Sequence, residues 1–298
     1  MPYAVNDGVR LYYEVRGEGP AMLLLHEYAG DHRSWEAQIE HFAHCYRCIT
    51  VSARGYPPSD EPDDPQAYSQ ANANSDALAV LDDAGAQTAH IVGISMGAYT
   101  GLQLAMQAPG RCLSLAALSG GSGSHPPTRK RFIADCHALA DLIEQEGAIP
   151  AAEMGMGPTR VQLHAKDRDV WQQSVDHMAE HAARAAAMTL RGVQAGRAPL
   201  TDFEDELAAI SIPVLLVVGD EDESCLDINL YLKRIMPAAQ LLVLPGSGHP
   251  LSLEEPGLVN TFLGRFLTSI EDGSWHPRDP AAMPQPGGAA TSIGLARN

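Results

Sequence analysis

A serine between two glycines carries the clearest chemical signal in this sequence. Ser95 is the centre of the motif Gly93-Ile94-Ser95-Met96-Gly97, which directly follows an apolar strand-like run and directly precedes a helix-forming segment. A tight turn from strand to helix forces its central residue into a strained backbone conformation, and small neighbours let the chain pass close to itself. The first amides of the helix then point at the serine hydroxyl and stabilise negative charge there. The motif therefore predicts a nucleophile, with a purely structural glycine turn as the alternative.

A serine hydroxyl is a weak nucleophile unless a base accepts its proton, and a carboxylate usually orients that base. Of the 12 histidines, His249 lies in a glycine-rich loop directly after a late apolar run. That position places its ring above the sheet edge, within reach of Ser95 if the two strands are neighbours. The orienting carboxylate should follow the apolar run 214–218, where four acidic residues occupy consecutive positions 220–223.

Short apolar runs that alternate with helical patterns must position these residues. A parallel sheet covered by helices on both faces produces this alternation. The first two runs flank Asn6-Asp7-Gly8, a composition that favours a tight hairpin turn. The predicted strands are 2–5, 9–16, 21–25, 45–51, 89–94, 112–118, 214–218 and 241–244, and the predicted covering helices are 35–44, 68–84, 96–108, 226–236 and 256–270.

Between residues 118 and 214 the alternation stops, and helical sequence rich in alanine intervenes, notably over 129–145 and 167–191. Residues 123–200 carry as many basic as acidic side chains, so the acidic excess of the chain lies outside them. We therefore predict a core formed by residues 1–122 and 201–270, with a helical lid over residues 123–200. Residues 271–298, rich in Pro, Gly and Ala, are predicted to form a C-terminal extension.

Composition restricts the possible partners. The chain of 298 residues has a net charge of −17, which disfavours nucleic acid and anionic membrane surfaces. No segment approaches the roughly 18 uninterrupted apolar residues of a membrane span, and the N-terminus lacks a signal-peptide core. Five scattered cysteines favour reduced thiols, and Cys45 and Cys48 are interpreted as structural. We expect a cytoplasmic monomer or homodimer that acts on a small molecule, without metal or cofactor.

The chain order of these residues resembles the α/β-hydrolase fold, in which an elbow serine is followed by an acid after the seventh strand and a histidine in a late loop. The resemblance extends over residues 9–267. It implies a mostly parallel eight-stranded sheet flanked by helices, with the lid inserted after the sixth strand. In similar enzymes the acid ends a Gly-x-x-Asp segment, which here falls on Asp222, with Asp220 as the alternative.

The resemblance also implies an oxyanion hole formed by two backbone amides, those of Met96 and Tyr28. The loop that supplies the second amide commonly reads His-Gly in this family, whereas here His26 is followed by Glu27. Because a charge facing the oxyanion would oppose catalysis, we expect Glu27 to hydrogen-bond within this loop or to His26. His26 and Glu27 are both predicted to contact the substrate.

A serine nucleophile predicts transfer of an acyl group to water through an acyl-enzyme, so a small ester or lactone is the expected substrate. Relatives that open epoxides or remove halide carry aspartate at the elbow, which disfavours those activities. The insertion resembles the lids of esterases, enol-lactonases and carbon-carbon bond hydrolases of aromatic degradation. A carbon-carbon bond hydrolase is therefore one alternative, and a small-molecule receptor with slow turnover on the same fold is another.

The basic side chains of the predicted lid could bind a carboxylate of the substrate, which the acidic core would repel. Solvated surface ion pairs are the alternative interpretation. We predict Arg191 as the foremost candidate within the set Arg160, Lys166, Arg168, Arg184 and Arg191.

Overall fold

The computed structural model describes residues 2–282. Eight strands form one sheet: β1 (Tyr3–Asn6), β2 (Val9–Arg16), β3 (Ala21–Leu25), β4 (Arg47–Val51), β5 (Ala89–Ile94), β6 (Cys112–Leu118), β7 (Val214–Gly219) and β8 (Ala239–Leu244). Their order across the sheet is β1-β2-β4-β3-β5-β6-β7-β8. Strand β2 runs antiparallel to both of its neighbours, and the other pairs are parallel. The predicted mostly parallel eight-stranded sheet is confirmed.

Helices cover both faces of this sheet, as predicted. The bounds of those outside the insertion are α1 (Glu36–Phe42), α2 (Gln70–Asp83), α3 (Met96–Gln107), α9 (Glu204–Ala208), α10 (Leu226–Ile235), α11 (Leu251–Glu254) and α12 (Pro256–Glu271). Apolar side chains of α2, α3 and α10 pack on one face, and those of α1 and α12 pack on the other. Every residue of β3, β5 and β7 is buried, which explains why these strands read as continuous apolar runs in the sequence.

Five further helices lie between β6 and α9, and we call them the cap: α4 (Arg129–Glu146), α5 (Ala151–Gly155), α6 (Val161–Lys166), α7 (Arg168–Ala179) and α8 (Ala183–Thr189). A wide helical turn, Leu190–Ala195, continues α8. The cap has an apolar cluster of its own, which includes Ile143, Val175 and Met178. The helical sequence at 167–191 forms two helices, because the chain is extended at Ala182. The division of the chain at residues 123 and 200 stays a prediction.

Beyond α12 the chain returns to the core. Trp275 packs against the apolar cluster of α1 and α12, and the amide of Arg278 donates to the carbonyl of Pro237 at 2.9 Å. The predicted extension 271–298 is thus described as far as residue 282, and residues 283–298 lie outside the described part. All five cysteines are free thiols. Across residues 2–282, every helix falls short of the length or apolarity needed to cross a membrane.

Helix α3 begins in contact with the end of β3, and this close approach creates the turn at Ser95. The amide of Gly97 donates to the carbonyl of His26 at 3.1 Å. Ser95 has a φ of 52°, a left-handed value that is strained for a serine. A Cβ atom at Gly97 would lie 2.0 Å from the carbonyl oxygen of Leu25. Glycine is therefore required at position 97.

Replacement of this glycine should be costly. In Gly97→Ala the added methyl group collides with backbone that cannot move aside, so we expect the free energy of unfolding to fall by about 2 kcal/mol or more. The matched control is Gly257→Ala in α12, where a Cβ meets nothing within 4 Å. That variant should be unchanged or more stable by up to about 1 kcal/mol. Chemical denaturation followed by circular dichroism measures both, and equal stability of Gly97→Ala and the unsubstituted protein would contradict the prediction.

Candidate active site

The loops after β7 and β8 bring Asp222 and His249 together. His249 Nδ1 donates to Asp222 Oδ2 at 2.7 Å, and the hydroxyl of Ser224 donates to Asp222 Oδ1 at 2.7 Å. Although burial opposes ionisation of Asp222, the neighbouring imidazole holds the pKa of this carboxyl below its usual range. Because Nδ1 is engaged in this bond, Nε2 is the ring nitrogen available for proton transfer.

Ser95 and His249 line the same cavity, which has a volume of about 310 Å³. The two side chains make no direct hydrogen bond within the described structure, a looseness that is common in sites without substrate. The apolar side of the cavity comes from the cap and the turn after it: Phe132, Cys136, Leu139 and Leu190. The predicted nucleophile, base and acid thus meet at one end of the sheet, below the cap.

The charge state of His249 is set mainly by two opposing effects. Burial favours the neutral ring, but the charge and hydrogen bond of Asp222 outweigh it and raise the pKa of His249 well above 6.5. The thiol of Cys225 lies 3.9 Å from Nδ1 and donates to the carbonyl of Ser119 at 3.1 Å. Burial raises the pKa of this thiol, so it stays neutral beside the imidazole. No motif in the sequence indicated the proximity of Cys225.

Three side chains that can bind metal ions lie together at the His249 ring. Within residues 2–282, donor atoms of Asp222, Cys225 and His249 lie within 4.8 Å of one another. An ion held there would replace the hydrogen bond between Asp222 and His249, which is the contact that orients the imidazole. The observed arrangement therefore suits proton transfer rather than metal binding.

Two backbone amides are predicted to form the oxyanion hole, those of Tyr28 and Met96. Within the described residues, neither amide donates to a protein acceptor. The hydroxyl of Tyr56 donates to the carbonyl of Tyr28 at 3.0 Å, and the contact of Gly97 with His26 fixes the start of the loop. Both donors are thus held in place near Ser95, and their role in catalysis stays a prediction.

The ring of His26 does not line the cavity of Ser95 and His249. Its Nδ1 donates to the carbonyl of Glu27 at 2.7 Å, and its Nε2 accepts the amide hydrogen of Ala53 at 3.0 Å. Burial lowers the pKa of His26 to about 4, so the ring is neutral. Because both nitrogens are occupied, His26 positions the loop and is not available to bind substrate.

The expected bonds of Glu27 within its loop are made by its backbone carbonyl, whereas its carboxylate has a different partner. Its carboxylate is held by the guanidinium of Arg160, just before α6, and it lies 3.8 Å from His249 Nε2. Burial opposes ionisation of Glu27, but the charge and hydrogen bonds of Arg160 lower its pKa. Only the backbone carbonyl of Glu27 bonds within the loop, to His26 and Gly30. The buried carboxylate is therefore neutralised by the cap.

Arg191 lies away from this cavity. It pairs with Glu144 and Asp141 on α4, each at 2.6 Å, and it lines a separate surface depression. These two acids are three positions apart and lie on one face of α4, where they hold the guanidinium on the outside of the cap. Of the five basic side chains considered, Arg160 is the one that lines the cavity.

Comparison with known proteins agrees with this geometry. A family model described as the alpha/beta hydrolase fold matches residues 20–256. The chain belongs to this family. The match covers strands β3 to β8 with the residues between them, including the turn at Ser95 and the loop of His249.

Relatives of this hydrolase are distant but cover nearly its full length. A Bacillus subtilis (strain 168) protein, provisionally named 2-succinyl-6-hydroxy-2,4-cyclohexadiene-1-carboxylate synthase, is 28% identical over 89% of this chain and 97% of its own. The 3-oxoadipate enol-lactonase 1 of Acinetobacter baylyi is 25% identical over 89% of this chain and 96% of its own. The structure of a thermophilic esterase from Thermogutta terrifontis superimposes with a TM-score of 0.79 and is 22% identical in sequence. The match covers 90% of this chain and 98% of the esterase, which shows a shared fold.

The contact between His249 and Asp222 has a direct spectroscopic consequence. NMR titration of the His249 ring should give a pKa above 6.5, because Asp222 stabilises the imidazolium. Asp222→Asn removes that charge and should lower the pKa of His249 by at least about one unit. The control is Asp220→Asn, which alters an exposed neighbouring acid. If His249 titrates in Asp222→Asn as it does in the unsubstituted protein, Asp222 is not its partner.

Proposed function

We propose that this chain is a serine hydrolase that cleaves a small carboxylic ester or lactone. Ser95 is the nucleophile, His249 the general base and Asp222 the carboxylate that orients it. The proposal depends chiefly on the 2.7 Å hydrogen bond between His249 and Asp222, because it leaves Nε2 free in the cavity that Ser95 lines. This arrangement is typical of acyl transfer by an activated serine.

In the proposed reaction Ser95 Oγ attacks the substrate carbonyl while His249 Nε2 accepts its proton. The amides of Tyr28 and Met96 donate to the oxygen that becomes negative. The imidazolium then protonates the departing alcohol, and the acyl group remains on Ser95. Water, activated by the same nitrogen, hydrolyses the acyl-enzyme and restores the serine.

The names of the relatives support an acyl carbonyl as the target. A lactonase and an esterase both act on a carbonyl bonded to oxygen, and a lactone is a cyclic ester. The identities, 22% to 25%, do not transfer a particular substrate. Phe132 and Leu139 from the cap give the cavity an apolar side, which suits the hydrocarbon part of a small ester.

The test is hydrolysis of p-nitrophenyl esters of increasing acyl length, followed by stopped-flow absorbance. We expect a burst of p-nitrophenol close to one equivalent and then a slower steady state, because the acyl-enzyme forms before it is hydrolysed. Ser95→Ala should lower kcat by at least about 10⁴-fold. The matched control is Ser269→Ala on α12, outside the cavity, which should leave kcat unchanged.

Two results would contradict the proposal. Activity of a folded Ser95→Ala variant close to that of the unsubstituted protein would exclude Ser95 as the nucleophile. Negligible turnover of every ester and lactone by folded protein would exclude the proposed substrate class. That second result would favour a carbon-carbon bond hydrolase or a slow-turnover receptor, which use the same three residues.

A further inference from the structure

Glu27 places a carboxylate inside the cavity of the proposed nucleophile. One of its oxygens lies 3.8 Å from His249 Nε2, the nitrogen that transfers the proton. Both terminal nitrogens of Arg160 donate to this carboxylate, Nη1 to Oε1 at 3.0 Å and Nη2 to Oε2. A bidentate pair of this kind uses the edge of the guanidinium formed by its two terminal nitrogens. That edge is then not available to the carboxylate of a substrate.

Arg160 is the one arginine or lysine among the described residues that line this cavity. Its side chain is 17% exposed, whereas that of Glu27 is 5% exposed. A second buried arginine nearby, Arg197, donates to the carbonyl and hydroxyl of Ser122, and only Ser122 lines the cavity. A molecule in the cavity therefore meets Ser122 and not Arg197 itself. The guanidinium that it does meet, that of Arg160, is paired with the carboxylate of Glu27.

The cap holds this ion pair rigidly in place. The carbonyl of Thr159, next to Arg160, accepts the amide hydrogen of His249 at 2.7 Å. Gln162 donates to Glu221 at 2.8 Å, and Lys166 donates to Glu254 at 2.7 Å. These contacts join the start of α6 to the loops after β7 and β8, and its end to α11. These contacts hold Arg160 beside Glu27, so its guanidinium is not free to turn towards a substrate.

We infer that Glu27 is a specificity-determining residue that occupies Arg160 and restricts the cavity to substrates whose acyl chain is uncharged. The inference deepens the proposed ester or lactone hydrolysis and rests on it. A substrate carboxylate entering the cavity would lose its water shell, would meet no unpaired arginine or lysine among the described residues that line the cavity, and would approach the charge of Glu27. A neutral ester meets no such penalty.

The experiment compares two substrates of equal chain length, the mono-p-nitrophenyl ester of adipic acid and its methyl ester. The measured quantity is the ratio of kcat/KM for the anionic substrate to kcat/KM for the neutral one. This ratio cancels any effect of a substitution on the reactivity of Ser95 or on the pKa of His249, since both substrates use them. We expect a ratio below about 0.1 for the unsubstituted protein, a tenfold preference that corresponds to 1.4 kcal/mol.

Glu27→Gln keeps the shape of the side chain and removes its charge, so Arg160 becomes available to the substrate carboxylate. The ratio should rise at least tenfold, and the double variant Glu27→Gln/Arg160→Gln should lose that gain. Arg160→Gln alone leaves Glu27 without its partner and should lower the ratio further, which gives a second test if Glu27→Gln does not fold. Arg191→Gln is the matched control, since it removes a cap arginine outside the cavity, and its ratio should be unchanged.

A ratio of one or more in the unsubstituted protein would overturn the inference, because it requires a free cation or the displacement of Glu27. An unchanged ratio in Glu27→Gln with intact hydrolysis of the neutral ester would overturn it as well. Both results leave the proposed ester hydrolysis standing. Absence of hydrolysis dependent on Ser95 with either substrate would instead overturn the proposed function and this inference together.

Discussion

The structure of the site depends on the contact between the start of α3 and the end of β3. A single hydrogen bond, from the amide of Gly97 to the carbonyl of His26 at 3.1 Å, joins the turn at Ser95 to the predicted oxyanion loop. Backbone can approach this closely only because position 97 has no side chain. Ser95 itself has a strained φ of 52° at the point where β5 passes into α3.

The cap covers the cavity and also positions two loops of the core that line it. It contacts the loop of His249 through the carbonyl of Thr159 and the oxyanion loop through Arg160. A glycine at position 27, as the family commonly has, would leave Arg160 without its carboxylate. The ion pair therefore links the unusual charged residue of the loop to an arginine of the cap.

The sequence predicted the strands, the turn at Ser95 and the loop of His249 because each is encoded by a local pattern. It did not predict the partner of Glu27, since Arg160 lies 133 positions away and no spacing rule connects them. Nor does the sequence show which basic side chains of the cap point inward, so it does not distinguish Arg160 from Arg191. The use of both ring nitrogens of His26 by the backbone was likewise invisible, since Ala53 follows a different strand.

The most direct test of Ser95 as an activated nucleophile is covalent labelling with a fluorophosphonate, followed by mass spectrometry of the intact and digested protein. One equivalent of adduct on the peptide that contains Ser95, and none on a folded Ser95→Ala variant, is the predicted result. Labelling requires the orienting acid and the base as well as the serine, so it reports on the whole arrangement. Folded protein that remains unlabelled, or that is labelled at another residue, would contradict the assignment of Ser95 as the nucleophile.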